Sequence, residues 1–186
     1  LELESLVKLK QCHKDDVLEV KEKGALLPSS KKGKRLFYTK EAIGVCAIIT
    51  PWNFPLAMAA RKIAPALAAG CTCVCKPTPE APLTLLSLGF FAQKIGVDKG
   101  VLNIVHGPED EIGRVLLDSK IVRKLSFTGS TTVGTFLYQA SASTLKKLSL
   151  ELGGNAPYLI FEDSDIELAV SQLIACKFRF GGQTCV

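Results

Sequence analysis

The stretch GSTTVG, residues 129–134, sets two glycines around a run of hydroxyl side chains at the junction between an apolar run and a helix-like one. Glycine lets a ligand approach the backbone closely, and the free amides at a helix start attract anions, so such a turn suits a phosphate. Strand-to-helix turns also carry Gly and Ser simply for capping, and GSTTVG by itself leaves both readings open. Lys76 closes the otherwise apolar run CTCVCK, residues 71–76. Its ammonium either snorkels to solvent from a strand end or reaches a ribose or phosphate. Cys71, Cys73 and Cys75 alternate along the same run and so share one face. Three thiols suggest a metal site, but structural zinc wants four ligands and neither His13 nor His106 is near in sequence. They are expected to be small buried apolar groups, and no metal is expected. Cys185, in GGQTCV, is the last of seven cysteines.

These residues need elements to position them. GVCAIIT (44–50), CTCVCK (71–76), VLNIVHG (101–107), VRKLSFTGS (122–130) and KKLSLELGG (146–154) read as strands. Their continuous apolar character predicts a sheet covered on both faces. Between them LAMAARKIAPALAAG (56–70), LTLLSLGFFAQKIG (83–96), EDEIGRVLLDS (109–119) and TVGTFLYQASA (132–142) read as helices, and APYLIFE (156–162) leads into a last helical segment, DIELAVSQLIACKFRF. Strand alternating with helix predicts an α/β fold, a right-handed doubly wound parallel sheet. Such sheets bind ligands at the carboxyl ends of their strands, where TPWN, KPTPE, FTGST and ELGG fall. Residues 1–23 predict an N-terminal helical segment. In 24–42, ALL and RLFYT flank a Pro-Ser-Ser-Lys-Lys-Gly turn and predict a long-looped β-hairpin, which is weak alone and needs another surface to lean on.

The 186 residues suit one domain or slightly more, and 47% apolar content provides for a sizeable core. The net charge of +5 is not gathered into a stripe: its densest run, KKGKR at 31–35, reads as a solvated turn, and one Trp and three Tyr offer no stacking platform. No nucleic-acid partner is expected. No apolar run is long enough to span a bilayer, so no membrane partner is expected either. An odd set of cysteines without repeated spacing predicts reduced thiols in an intracellular protein. The chain starts at Leu1 and its single Met is Met58, so it is expected to be an internal piece of a longer chain.

PWNFP, KPTPE, FTGST, LELGG and GQTCV, in this order and at these separations, resemble the aldehyde dehydrogenase superfamily over roughly residues 24–186. ITPWNFP, PALAAGCT, SFTGSTTVG, LELGGNAP and KFRFGGQTCV look closest to its succinate-semialdehyde branch. The resemblance implies a Rossmann-like NAD(P)-binding domain over 43–153 and the start of a catalytic domain over 154–186, truncated after Cys185. It also implies that the 24–42 hairpin serves in subunit assembly, so that the parent enzyme is a homo-oligomer, dimer or tetramer. The compartment would be mitochondrial in a eukaryote and cytoplasmic in a bacterium.

What the resemblance implies about chemistry falls on named residues. Cys185 matches the nucleophile, whose thiolate adds to an aldehyde; the resulting thiohemiacetal gives up a hydride to NAD or NADP and leaves a thioester. Glu151 matches the general base that activates water for thioester hydrolysis, a role that suits a carboxylate at the end of an apolar strand. Asn53 matches the amide that stabilises the oxyanion together with the Cys185 backbone N–H; locally it also reads as a turn residue after Pro51. The cofactor set is Trp52, Lys76, Pro79, Gly129, Ser130, Thr131, Gly134 and Leu152. Arg61 and Arg179 match a clamp for the distal carboxylate of a small aldehyde acid, which suits arginine's planar fork. The sequence departs from the family twice. Pro79 stands where NAD-using relatives carry a ribose-binding Glu, with Glu80 one step on, so NAD and NADP both remain open. Phe180-Gly181 replaces an Asn-Thr pair before GQTC. Two alternatives accompany the main reading: a truncated, inactive copy, and a related dehydrogenase for another aldehyde. Residues 1–186 alone are expected to be inactive and poorly soluble.

Overall fold

The computed structural model describes residues 9–13, 16–20, 24–27 and 36–186. The helix expected within residues 1–23 is not found in the described part. Leu9–His13 (β1) and Asp16–Val20 (β2) are antiparallel strands, paired from Leu9 with Val20 to His13 with Asp16. Short apolar–polar alternation around Leu9 and Leu18 and the β-branched Val17 and Val20 favour a strand, and no stripe of helical period competes. Gly24–Leu27 (β3) and Leu36–Thr39 (β4) form the antiparallel hairpin, from Gly24 with Thr39 to Leu27 with Leu36. Its connecting turn lies outside the described residues.

Five parallel strands follow: Val45–Ile49 (β5), Thr72–Lys76 (β6), Leu102–Ile104 (β7), Val122–Gly129 (β8) and Lys147–Leu152 (β9). They lie in the order β7-β6-β5-β8-β9. The helices between them are Pro55–Ala68 (α1), Pro82–Lys94 (α2), Glu109–Asp118 (α3) and Thr131–Ala140 (α4). Side chains of β5 alternate between two cores. Cys46 and Ile48 pack with Ala59 and Ile63 of α1 and Leu85 of α2, while Ala47 packs with Leu116 and Leu117 of α3 and Leu137 of α4. Each strand therefore needs apolar side chains on both faces, which is why its sequence reads as one continuous run.

Local chemistry sets the helix starts. Proline occupies the first turn of α1 and of α2, where its missing N–H is no loss. Ser130 caps α4 by accepting from the Val133 N–H at 3.2 Å. Gly134 packs closely on Leu152: a Cβ there would lie 2.4 Å from Leu152 Cδ2, so the end of the leucine side chain would have to shift to admit one. Beyond β9, residues 155–162 form no strand, and Ile166–Lys177 (α5), capped by Asp165, buries none of its residues.

Candidate active site

The order in which successive strands join the sheet reverses between β5 and β8, the position at which open parallel sheets form a ligand crevice. Two clefts open there, on opposite faces of the sheet. One, of about 600 Å³, runs between the strand ends and helices α3 and α4. The other, of about 480 Å³, lies under α1. Thr128 belongs to the walls of both; it is buried, and its Oγ1 has no hydrogen-bond partner.

Of the predicted cofactor residues, Trp52, Lys76, Gly129 and Ser130 line the larger cleft. Pro79, Thr131, Gly134 and Leu152 are not in its wall; Gly134 and Leu152 instead pack against each other. Lys76 does not snorkel. It is 2% exposed, and its Nζ donates to Glu109 Oε1 at 2.7 Å and to the Pro77 carbonyl at 3.2 Å. Beside the exposed Pro79, Thr78 and Glu80 face the cleft, and the Thr78 hydroxyl donates to the Glu80 carboxylate. That bond holds Glu80 below the usual carboxylate range. The wall thus offers a capped helix N-terminus, an ammonium and an ionised carboxylate. These suit a ligand carrying phosphate and sugar hydroxyls.

The smaller cleft brings together Arg61 from α1, Glu151 from the end of β9, and Cys185. Cys185 is exposed, and its chain passes so close to Gly154 that a Cβ there would lie 3.5 Å from the Cys185 carbonyl oxygen. Asn53 is tied to the same loop: its Nδ2 donates to the Gln183 carbonyl at 2.9 Å, and its Oδ1 accepts from the Phe54 N–H at 3.1 Å. The second predicted arginine stands apart from the cleft wall. The Arg179 guanidinium lies over the Phe54 ring, 5.1 Å from its centroid, and donates to Thr184 Oγ1 at 3.4 Å.

Three residues of these walls escape a reading by motif. Lys62 and Lys124 add positive charge beside Glu151 and Arg61. Burial lowers the Lys62 pKa, with Arg61 and Lys124 lowering it further and Glu151 opposing. Lys124 Nζ donates to Ser149 Oγ at 2.6 Å; a lysine inside an apolar strand was the available signal. Glu109 was hidden because its partner Lys76 stands 33 residues away. The cysteines of β6 are buried with Cys46, and burial pushes the Cys46 thiol up to about 12. Among the described residues no group of three or more His, Cys, Asp or Glu side chains is placed to hold a metal ion. No described helix is long and apolar enough to cross a membrane.

The chain is similar to known proteins over most of its length. Succinate-semialdehyde dehydrogenase [NADP(+)] 1 of Schizosaccharomyces pombe is 55% identical over 159 residues, covering 85% of this chain and 32% of that protein. The 3-sulfolactaldehyde dehydrogenase of Pseudomonas putida is 52% identical over 163 residues, covering 88% of this chain and 34% of its own. The crystal structure of succinate-semialdehyde dehydrogenase from Burkholderia pseudomallei superposes with a TM-score of 0.83 at 55% identity, covering 88% of this chain and 34% of that one. The chain therefore spans about a third of the length of the relatives it matches. Residues 13–186 match the aldehyde dehydrogenase family, and the chain belongs to it.

Proposed function

We propose that the full-length protein oxidises a small carboxylated aldehyde, succinate semialdehyde to succinate, with NAD or NADP. The observation that carries this is the placement of Cys185, Glu151 and Arg61 around one cleft while the Cys185 loop is fastened to Asn53. The similar proteins of S. pombe and P. putida are named for aldehydes that carry an acid group.

The bound dinucleotide supplies the hydride acceptor. Lys76, Gly129, Ser130 and Trp52, which line the larger cleft, would hold it there, Lys76 and the α4 N-terminus suiting its phosphates and Glu80 a sugar hydroxyl. In the smaller cleft the Cys185 thiolate adds to the aldehyde carbon and forms a C–S bond. The Asn53 side-chain amide, with the Cys185 N–H, faces the negative charge that develops on the aldehyde oxygen. Once the thioester has formed, Glu151 takes a proton from water, which attacks the acyl carbon and releases succinate and the thiolate. Arg61 pairs with the distal carboxylate, and Arg179 does so from the rim.

The test is steady-state oxidation by the full-length protein. Succinate semialdehyde should be turned over with either cofactor, and Cys185→Ser should abolish turnover of every aldehyde. Unchanged turnover in Cys185→Ser would sink the assignment.

A further inference from the structure

Phe180 adopts φ 55° and ψ 38°, in the left-handed region, and is followed by Gly181 at φ 63° and Gly182 at φ 80°. Glycine takes that conformation freely, whereas a bulky side chain is disfavoured there and persists only where the surroundings hold it. Here the surroundings are aromatic. The Phe180 ring lies 5.5 Å from that of Phe54 and 6.3 Å from that of Trp52, tilted 44° and 43° to them. Both separations fall within the range of favourable aromatic pairs. Arg179 covers Phe54 beside it. The turn then closes through the Gln183 N–H, which donates to the Phe180 carbonyl at 3.2 Å, while the Gln183 carbonyl accepts from Asn53. The loop leading to Cys185 thus has two anchors on residues 52–54, one polar at Asn53 and one aromatic at Phe180.

We propose that Phe180 is a positioning residue for the nucleophile: stacked on Phe54 and Trp52, it holds the left-handed turn that sets where Cys185 faces Glu151 and Arg61. The proposal rests on the reading of Cys185 as the nucleophile. Phe180 touches no reacting atom in it. Its contribution is to fix the loop, and small displacements of a nucleophile are costly because the attack geometry is narrow. Trp52 also lines the larger cleft, so one stack joins the rim of that cleft to the nucleophile loop.

The experiment compares Phe180→Ala, Phe180→Gly and Phe180→Tyr in the full-length protein. One readout is the rate of Cys185 alkylation by iodoacetamide, located by peptide mass spectrometry and independent of any aldehyde. The others are kcat, KM and thermal stability. Alanine and glycine should each slow Cys185 alkylation and lower kcat by roughly 10- to 100-fold, with aldehyde KM little changed. Tyrosine, which keeps the ring, should retain the parent rates. Glycine adopts the left-handed conformation freely, so it removes the ring without adding strain and carries the test if the alanine variant fails to fold. Parent-like alkylation and kcat in Phe180→Gly would overturn the proposal, as would losses confined to thermal stability. If the parent shows no Cys185-dependent aldehyde oxidation, the functional reading fails, while the alkylation rates still decide the role of Phe180.

Discussion

The buried ammonium of Lys76 meets the Glu109 carboxylate at 2.7 Å, although the Glu109 side chain is 63% exposed. The pair is unequal: one partner has surrendered its water and the other has not. Removing the carboxylate leaves a buried cation with the Pro77 carbonyl as its remaining partner. Glu109→Ala should therefore cost about 1–3 kcal/mol, toward the lower end because water reaches the vacated side. Lys76→Met removes the buried charge itself and should cost less. Urea denaturation of the two variants checks the order, and a larger loss for Lys76→Met would contradict it.

Glu80 gives a pH dependence with a definite sign. The Thr78 hydroxyl favours the ionised carboxylate, which holds Glu80 below its ordinary value of 4.5. The bond contributes to stability above pH 4.5, and that contribution is lost as the pH falls through the depressed value. Thr78→Val should move the Glu80 titration, followed by carboxyl NMR shifts, up toward the ordinary carboxylate range. An unmoved titration would show that the hydroxyl is not the cause.

Gly134→Ala introduces a methyl group into the side chain of Leu152. Overpacking of this kind costs typically about 1–3 kcal/mol, partly offset by the roughly 1 kcal/mol by which a helix prefers Ala to Gly. The double variant Gly134→Ala/Leu152→Ala should be more stable than the sum of the losses in the two single variants predicts. Additive denaturation free energies in the cycle would mean that the two residues do not touch.

Arg61 and Arg179 should separate in substrate assays. A charge-assisted bond is worth about 1.5–3 kcal/mol, so Arg61→Ala should lower kcat/KM for succinate semialdehyde roughly 10- to 150-fold and leave butanal nearly unaffected. Arg179 is also engaged with Phe54 and Thr184. Arg179→Ala should therefore lower kcat/KM for both aldehydes, and more for succinate semialdehyde, whose carboxylate it also pairs. Equal losses on the two aldehydes for Arg61→Ala would remove it from substrate recognition.

The central strands were legible because each is buried on two faces and so leaves an unbroken apolar run, as in VCAII of β5. The opening segment was not: β1 and β2 are five residues each, too short for either period to dominate in a charged sequence. Within the candidate site, motif order singles out Cys185, Glu151 and Asn53 as candidates, but says nothing of their surroundings. Asn53 and Gln183 are 130 residues apart, and nothing local to either announces their bond. Counting positions after Lys76 pointed to Pro79, whereas the turn presents Thr78 and Glu80 to the cleft. Side-chain direction in a turn is set by tertiary packing rather than by position in the sequence.

Thr128 gives the sheet edge the character of a party wall. One residue's thickness divides two rooms that open in opposite directions, toward α3 and α4 on one side and toward α1 on the other. A molecule in either room has its own door. Among the described residues, occupants of the two rooms would therefore meet only over the strand end at Thr128.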